Sequence, residues 1–260
     1  VKPLLSVICY NRLNDTTRTI QALRDTYTFD EAEVLIVDNA SVDGTGDWLL
    51  EQVDLGLLKP ENVMLLDENI GCPRALNLVL ESQRKPGQHF IKVDNDVLLV
   101  TPGWVEMLVR FLDQHPNVAM ASPWYAELET GNQGRVYEQH AGWWRIFPVI
   151  GHCCVHRGEF LDQTGFFDVL GDDHLYGFED NLMAHRAGAM GLDCAIVTTV
   201  VLENIQRHNS LDDGCGSIHP QESMRSHVDR FRAEYNRRAH RIHDLKGHYH
   251  VGADGREAIT

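Results

Sequence analysis

The feature that most constrains this chain is a rhythm over roughly its first 120 residues, in which short apolar runs alternate with helix-period segments. Leu4–Cys9, Val34–Val37, Val63–Leu66, Phe90–Val93 and Val118–Ala121 are too short for buried helices and read as strands. Between them, Asn14-Asp15-Thr16 offers a cap for a helix running to about Tyr27, and a second helix begins over Asp47–Gln52. Gly71 to Ser82 carries Ala75, Leu76, Val79 and Leu80 on one face, and Trp104–His115 is a further helix. Parallel strands need crossovers of this kind, so the expected architecture is α/β, with a mixed, mostly parallel central sheet flanked by helices. At 260 residues and 43% hydrophobic, the chain is long and apolar enough to build it as one domain.

After Pro123 the rhythm weakens. Residues 124–150 hold Trp124, Tyr125, Tyr137, Trp143, Trp144 and Phe147, with a turn expected at Gly131 and Gly134, and read as a hairpin or long loop. Phe178 to about Met190 reads as a helix, Cys194–Leu202 as a strand, and Gln221–Lys246 as a long helix ending in a loose tail. That last helix has an apolar stripe of Val228, Phe231, Tyr235, Ile242 and Leu245. Three regions follow: 1–122, 123–220 and 221–260.

Lys and Arg number 23 against 38 Asp and Glu, a net charge of −15. Such a chain repels polyanions, which disfavours a general nucleic-acid-binding role. The C-terminal helix runs against this trend: Arg225, Arg230, Arg232, Arg237, Arg238, Arg241 and Lys246 lie largely off its stripe. This is read either as a solvated face balancing nearby acids or as a surface for an anionic acceptor or membrane. Cys9, Cys72, Cys153, Cys154, Cys194 and Cys215 show no CxxC spacing and are expected to be reduced thiols. The first residues read as a strand rather than a signal peptide, and no apolar run approaches the ~20 residues of a membrane span. The expected location is cytoplasmic, with membrane contact limited to the basic helix.

In a parallel sheet, ligands bind beyond the carboxyl ends of the strands. Two such ends carry acids. Asp38 there serves either as an acceptor for a nucleobase or ribose, or as the cap of the next turn. Asp94-Asn95-Asp96 places two carboxylates on one face of an extended segment, where they repel unless a cation joins them. Mg²⁺ or Mn²⁺ suits such a pair together with phosphate oxygens. Gly177-Phe178-Glu179-Asp180 opens a helix, so its acids either favour the helix dipole or, for Asp180, supply a general base. Glu179 and Asp173 are the next candidates for that role. His208, after the strand Cys194–Leu202, is a candidate metal ligand.

These residues, taken in order, resemble the family 2 glycosyltransferases, inverting enzymes with a GT-A (Rossmann-like) fold. The resemblance spans roughly residues 4–210. It rests on Ser6-Val7-Ile8-Cys9-Tyr10-Asn11-Arg12, on Val37-Asp38-Asn39-Ala40-Ser41-Val42-Asp43-Gly44-Thr45, and on Asn69-Ile70-Gly71-Cys72-Pro73-Arg74-Ala75-Leu76-Asn77. Asp94-Asn95-Asp96 stands where the family has its D-x-D, and Gly165-Phe166-Phe167-Asp168, Phe178-Glu179-Asp180 and Arg186 resemble its later block.

The resemblance implies a nucleotide-diphosphate sugar as donor, UDP being the family's commonest nucleotide, and a hydroxyl as acceptor. It implies that Asp38 and Asn11 meet the nucleoside, that Arg74 and Asn77 help hold the nucleotide, and that Asp94 and Asn95 line its ribose and diphosphate. Asp96, Asp94 and His208 would hold Mn²⁺ or Mg²⁺, with Asp180 as the base. Residues 1–122 would then bind the nucleotide sugar, and 123–220 would hold the acceptor and the base. Two positions depart from the family's habit: Leu182 stands two residues after the base where an acid is common, and Val169 follows Asp168. The absence of a QxxRW motif favours single transfer over polymer synthesis. The acceptor stays open among sugar, lipid-linked carrier, protein, small molecule and modified nucleobase. Rival readings are a nucleotidyltransferase, disfavoured by the glycine-poor Tyr10-Asn11-Arg12-Leu13, and a non-catalytic carbohydrate-binding protein using the 124–147 aromatics.

Overall fold

The computed structural model describes residues 1–125, 135–149, 151–205 and 224–258. Ten strands among them form one sheet in the order β3-β2-β1-β4-β9-β6-β10-β8-β7, with β5 pairing β10. One half is parallel: β3 (Val63–Leu65), β2 (Glu33–Asp38), β1 (Leu4–Cys9) and β4 (Phe90–Asp94). The other half is mixed. It holds β6 (Val118–Tyr125), β9 (Cys153–His156), β10 (Asp193–Asn204), β5 (Val97–Leu99) and the hairpin β7 (Arg135–His140) and β8 (Trp143–Phe147). Strand β9 lies antiparallel between β4 and β6.

Both faces of the central strands are covered, which is why β1 is apolar at nearly every position rather than alternately. On one face Leu5, Val7 and Cys9 pack with α1 (Leu13–Asp25), α3 (Thr45–Asp54) and α5 (Trp104–Gln114), through Ile20, Leu23, Leu49, Trp104 and Leu108. On the other, Leu4, Val37 and Phe90 pack with α4 (Cys72–Gln83), α6 (Gly158–Thr164) and α7 (Glu179–Ala189), through Leu76, Val79, Phe160, Met183 and Ala187. The short α2 (Thr28–Glu31) bridges α1 to β2.

Two expectations need correction, the start of α1 and the loose tail. Asn14-Asp15-Thr16 does not cap α1. The helix begins earlier, after Arg12 in the left-handed region (φ 61), and its Leu13 N–H is taken by Asp43 Oδ2 at 2.8 Å. The hairpin turn falls at Ala141-Gly142, while Gly131 and Gly134 lie outside the described residues. Strand β9 was not anticipated, because Cys153–His156 is only four residues long and finds its partners far away in sequence.

The tail, finally, is docked rather than loose. After α8 (Met224–Leu245), β11 (His250–Val251) pairs with β12 (Glu257–Ala258), and Val251 bridges Gly165. Leu182, Phe231, Ile242, Tyr249 and Val251 form a third core cluster that fastens α8 to α7. Asp168, fully buried, accepts hydrogen bonds from Arg186 of α7, Arg238 of α8 and the Tyr249 hydroxyl, at 2.9, 2.8 and 2.8 Å.

Candidate active site

The candidate site lies where the parallel half of the sheet ends. The register sets Cys9 beside Asp38 and Ile8 beside Asp94, so the two acids flank the end of β1, as their strand-end positions implied. The chain leaving β1 reaches to both sides. Asn11 takes a left-handed conformation (φ 55), its N–H donates to Ser41 Oγ at 2.7 Å, and its Oδ1 accepts from Val42 N–H at 2.9 Å. Arg12 turns the other way and pairs with Asp96, Nη1 to Oδ2 at 2.9 Å. Asp38 is the cap of its own turn: Ser41 donates to it from both hydroxyl and N–H. Burial raises the Asp38 carboxyl above its ordinary value, against the lowering effect of these bonds.

Asp94 and Asp96 share a face as their spacing requires, and Asn95 points the other way, donating to Thr16 Oγ1 of α1 at 2.9 Å. A third group joins them that the sequence reading did not single out. His152 precedes β9, opposite the end of β4, and its Nδ1 lies 3.3 Å from Asp94 Oδ2. Ligand atoms of Asp94, Asp96 and His152 all lie within 4.8 Å of one another. Two hard carboxylates and an imidazole form a donor set that fits Mn²⁺, which accepts nitrogen more readily than Mg²⁺. The electrostatics are those of a site short of positive charge. Burial and the neighbouring Asp94 raise Asp96, although Arg12 pulls it down. Burial also pushes Asp94 up, but Lys92 and His152 bring it below its ordinary value. His152 is raised, its burial outweighed by Asp94 and Asp96. His208, the ligand expected from sequence, lies outside the described residues.

Asp180 and Glu179 enter from the first turn of α7, both buried. They meet Lys92, a residue hidden in the apolar run of β4. Its Nζ lies 2.6 Å from Asp180 Oδ2 and 3.3 Å from Glu179 Oε1. Among the described residues, Asp180 Oδ1 and Glu179 Oε2 are buried without a hydrogen-bond partner. Desolvation drives the Asp180 carboxyl up to about 7; Lys92 opposes that rise and Glu179 adds to it. A charged residue inside a buried strand was the signal for this cluster, since a lysine rarely enters a core without acids to meet it. Asp173, the other acid considered as a base, is instead exposed and paired with Arg230.

Two other expected nucleotide contacts are engaged with the protein itself. Arg74 donates to the carbonyls of Ile70, His174 and Gly171, bracing the segment that leads to Asp180. Asn77 is buried and exchanges both of its side-chain hydrogen bonds with the backbone of Phe167, at 2.9 and 2.8 Å. The basic face of α8 is not isolated. Arg230 pairs with Asp173, Arg232 with Asp229, Arg237 with Glu234, Arg238 with Asp168 and Glu234, and Arg241 with Glu257. Among the described residues no helix is long and apolar enough to cross a membrane. Cys9, Cys153, Cys154 and Cys194 are buried free thiols and Cys72 a partly buried one, while Cys215 lies outside the described residues.

Known structures share this fold. GalNAc-T7, solved with UDP, GalNAc and Mn²⁺, superimposes with a TM-score of 0.61 at 13% identity, over 78% of this chain and 44% of its own. The mannosyltransferase PcManGT from Pyrobaculum calidifontis, in complex with GDP-Man and Mn²⁺, gives 0.63 at 20% identity, over 94% and 70%. S. aureus TarS 1-349 gives 0.56 at 17% identity, over 78% and 60%. The chain thus spans under half the length of GalNAc-T7. Among curated proteins, no sequence matches it. The fold is that of the GT-A glycosyltransferases. The sequence pattern of glycosyl transferase family 2 covers residues 5–167, more than half of the chain, which therefore belongs to that family.

Proposed function

We propose that this chain transfers a sugar from a nucleotide-diphosphate donor, a UDP-sugar in the first instance, to an acceptor hydroxyl in one inverting step. Asp38 and Asn11 frame the nucleoside, and Asp94 and Asn95 lie towards its ribose and diphosphate. Arg74 and Asn77 serve the same pocket from behind, through the backbone they brace. Asp94, Asp96 and His152 would hold a divalent cation, which supplies charge neutralisation for the diphosphate. Asp180 is the base that takes the proton of the acceptor hydroxyl as its oxygen attacks the anomeric carbon, whose bond to the nucleoside diphosphate breaks on the opposite face.

The observation that carries the base assignment is the asymmetry of the Asp180 carboxylate. Oδ2 is held by Lys92, while Oδ1 is buried without a partner among the described residues. An unsatisfied buried carboxylate oxygen is costly and calls for a partner that arrives with the substrate. A carboxyl raised to about 7 is also tuned to accept a proton near neutrality.

The test is a screen of UDP- and GDP-sugars for nucleoside diphosphate release with Mn²⁺ or with EDTA, repeated on Asp180→Asn. The variant is expected to bind nucleotide as the wild type does while turnover falls by about 10²-fold or more. Undiminished turnover in the variant removes Asp180 as the base, and full turnover in EDTA removes the cation.

A further inference from the structure

One lysine stands where the donor-side and acceptor-side acids meet. Lys92 is the third residue of β4, two before Asp94, so its side chain leaves the strand on the same face. It is 2% exposed. An ammonium so placed is costly unless it is fully compensated. Four acceptors surround this one: Asp180 Oδ2 at 2.6 Å, the Gly151 carbonyl at 3.1 Å, Glu179 Oε1 at 3.3 Å and Asp94 Oδ1 at 3.4 Å. They come from three separate pieces of chain: β4 itself, the segment entering β9, and the first turn of α7. The three N–H groups donate to Asp180, Gly151 and Glu179, and Asp94 faces the ammonium as an ion pair.

Each contact fixes the atom opposite it. Held by Oδ2, Asp180 keeps Oδ1 unpaired. Approached through Oδ1, Asp94 keeps Oδ2 beside His152 at 3.3 Å. The Gly151 carbonyl ties down the residue adjoining His152. A Cβ on Gly151 would fall 2.3 Å from Asp180 Oδ2, so only glycine lets the base reach the ammonium. We infer that Lys92 is a positioning residue for sugar transfer: a single buried ammonium orients both the acid facing the cation and the acid facing the acceptor, and so sets the span between them. This rests on the roles proposed above for Asp94 and Asp180. It goes beyond them in making the two half-sites depend on one side chain. A misplacement of about 1 Å between reacting groups costs about 10²-fold in rate, so the tie is worth that much to turnover.

Lys92→Met alone strands three acids, so the test is the charge-balanced variant Lys92→Met with Glu179→Gln. Four readouts are taken: thermal melting, calorimetry with UDP or GDP plus Mn²⁺, nucleoside diphosphate release, and ¹³C NMR titration of the Asp180 carboxyl. A folded variant is expected that still binds nucleotide, with turnover down by about 10²-fold. Asp180 should titrate higher than in the wild type, because the lost attraction of Lys92 exceeds the lost repulsion of Glu179. The rise in the Asp180 titration checks that the contact has been removed, and turnover decides the role. A lysine serving only stability would move the melt and leave turnover of the folded variant unchanged. Wild-type turnover in the folded variant overturns the assignment. If the wild type itself releases no diphosphate from any donor, the glycosyl-transfer reading fails, and this inference falls with it. If the methionine variant does not fold, Lys92→Gln with Glu179→Gln keeps a donor at the site, and the same readouts decide.

Discussion

Replacing Asp168 with asparagine should unfasten the C-terminal elements from α7. The carboxylate is fully buried and accepts from Arg186, Arg238 and Tyr249. Asparagine keeps its shape but removes its charge and turns one acceptor into a donor facing donors. Arg238 would still have Glu234 at 2.9 Å, but Arg186, 1% exposed, would keep only the carbonyls of Thr164 and Phe166. Removing one partner of a buried ion pair costs about 3–5 kcal/mol. At ~2–4 °C per kcal/mol for a chain of this size, the melting midpoint should fall by roughly 6–20 °C. Urea unfolding followed by circular dichroism and tryptophan fluorescence measures the loss by linear extrapolation. Asp172→Asn is the control, since Asp172 is exposed and its pair with Arg256 lies in solvent. It should leave the midpoint where it is. A loss below about 1 kcal/mol for Asp168→Asn would refute the reasoning, because a stranded buried guanidinium cannot be that cheap.

Three further outcomes are expected. His152→Ala should weaken Mn²⁺ binding in the presence of UDP by at least about 10-fold, the lower bound seen for partners one shell further out; an unchanged titration by electron paramagnetic resonance removes His152 from the cation site. Transfer by the wild type should fall as pH drops through about 7, because the Asp180 carboxyl is raised to that value and works only when ionised; a kcat/KM profile whose acid limb lies at the ordinary aspartate value, about 4, points to another base. Gly151→Ala places a methyl on Asp180 Oδ2 and should abolish turnover while nucleotide still binds, a result read by calorimetry alongside diphosphate release.

Much of this site was legible because its first half is built from local signals. Strands β1, β2 and β4 are apolar runs closed by turn residues, and a parallel sheet puts their ends side by side, so Asp38, Asp94 and Asp96 could be placed together without coordinates. What escaped was set by contacts distant in sequence. His152 belongs to the site only because β9 runs antiparallel to β4, a pairing that bridges 58 residues between His152 and Asp94. Lys92 looked like an interruption of an apolar run until α7 brought Glu179 and Asp180 to it. Leu13 is capped from 30 residues away by Asp43, which local helix-start rules do not reach. Arg74 and Asn77 carry motif positions, yet the structure turns them towards backbone. The residues after Lys246 read as a loose tail, whereas Tyr249 and Val251 give that end a core of its own.

The antiparallel seat of β9 has a consequence for how this architecture can vary. The chain leaves β6 at Tyr125 and re-enters the adjacent strand at Cys153, so both ends of the excursion are pinned by the Met120–His156 and Ala121–Val155 pairings. Between those pins the chain crosses beyond β10, where β8 pairs with that strand and β7 with β8 at the sheet's edge. Each doubling of a loop costs only about 0.6 kcal/mol in closure entropy, so the tip of that edge hairpin can lengthen at little cost. His152 would stay beside Asp94 through such a change, because its seat is set by the pairing of β9 with β4 and not by the hairpin.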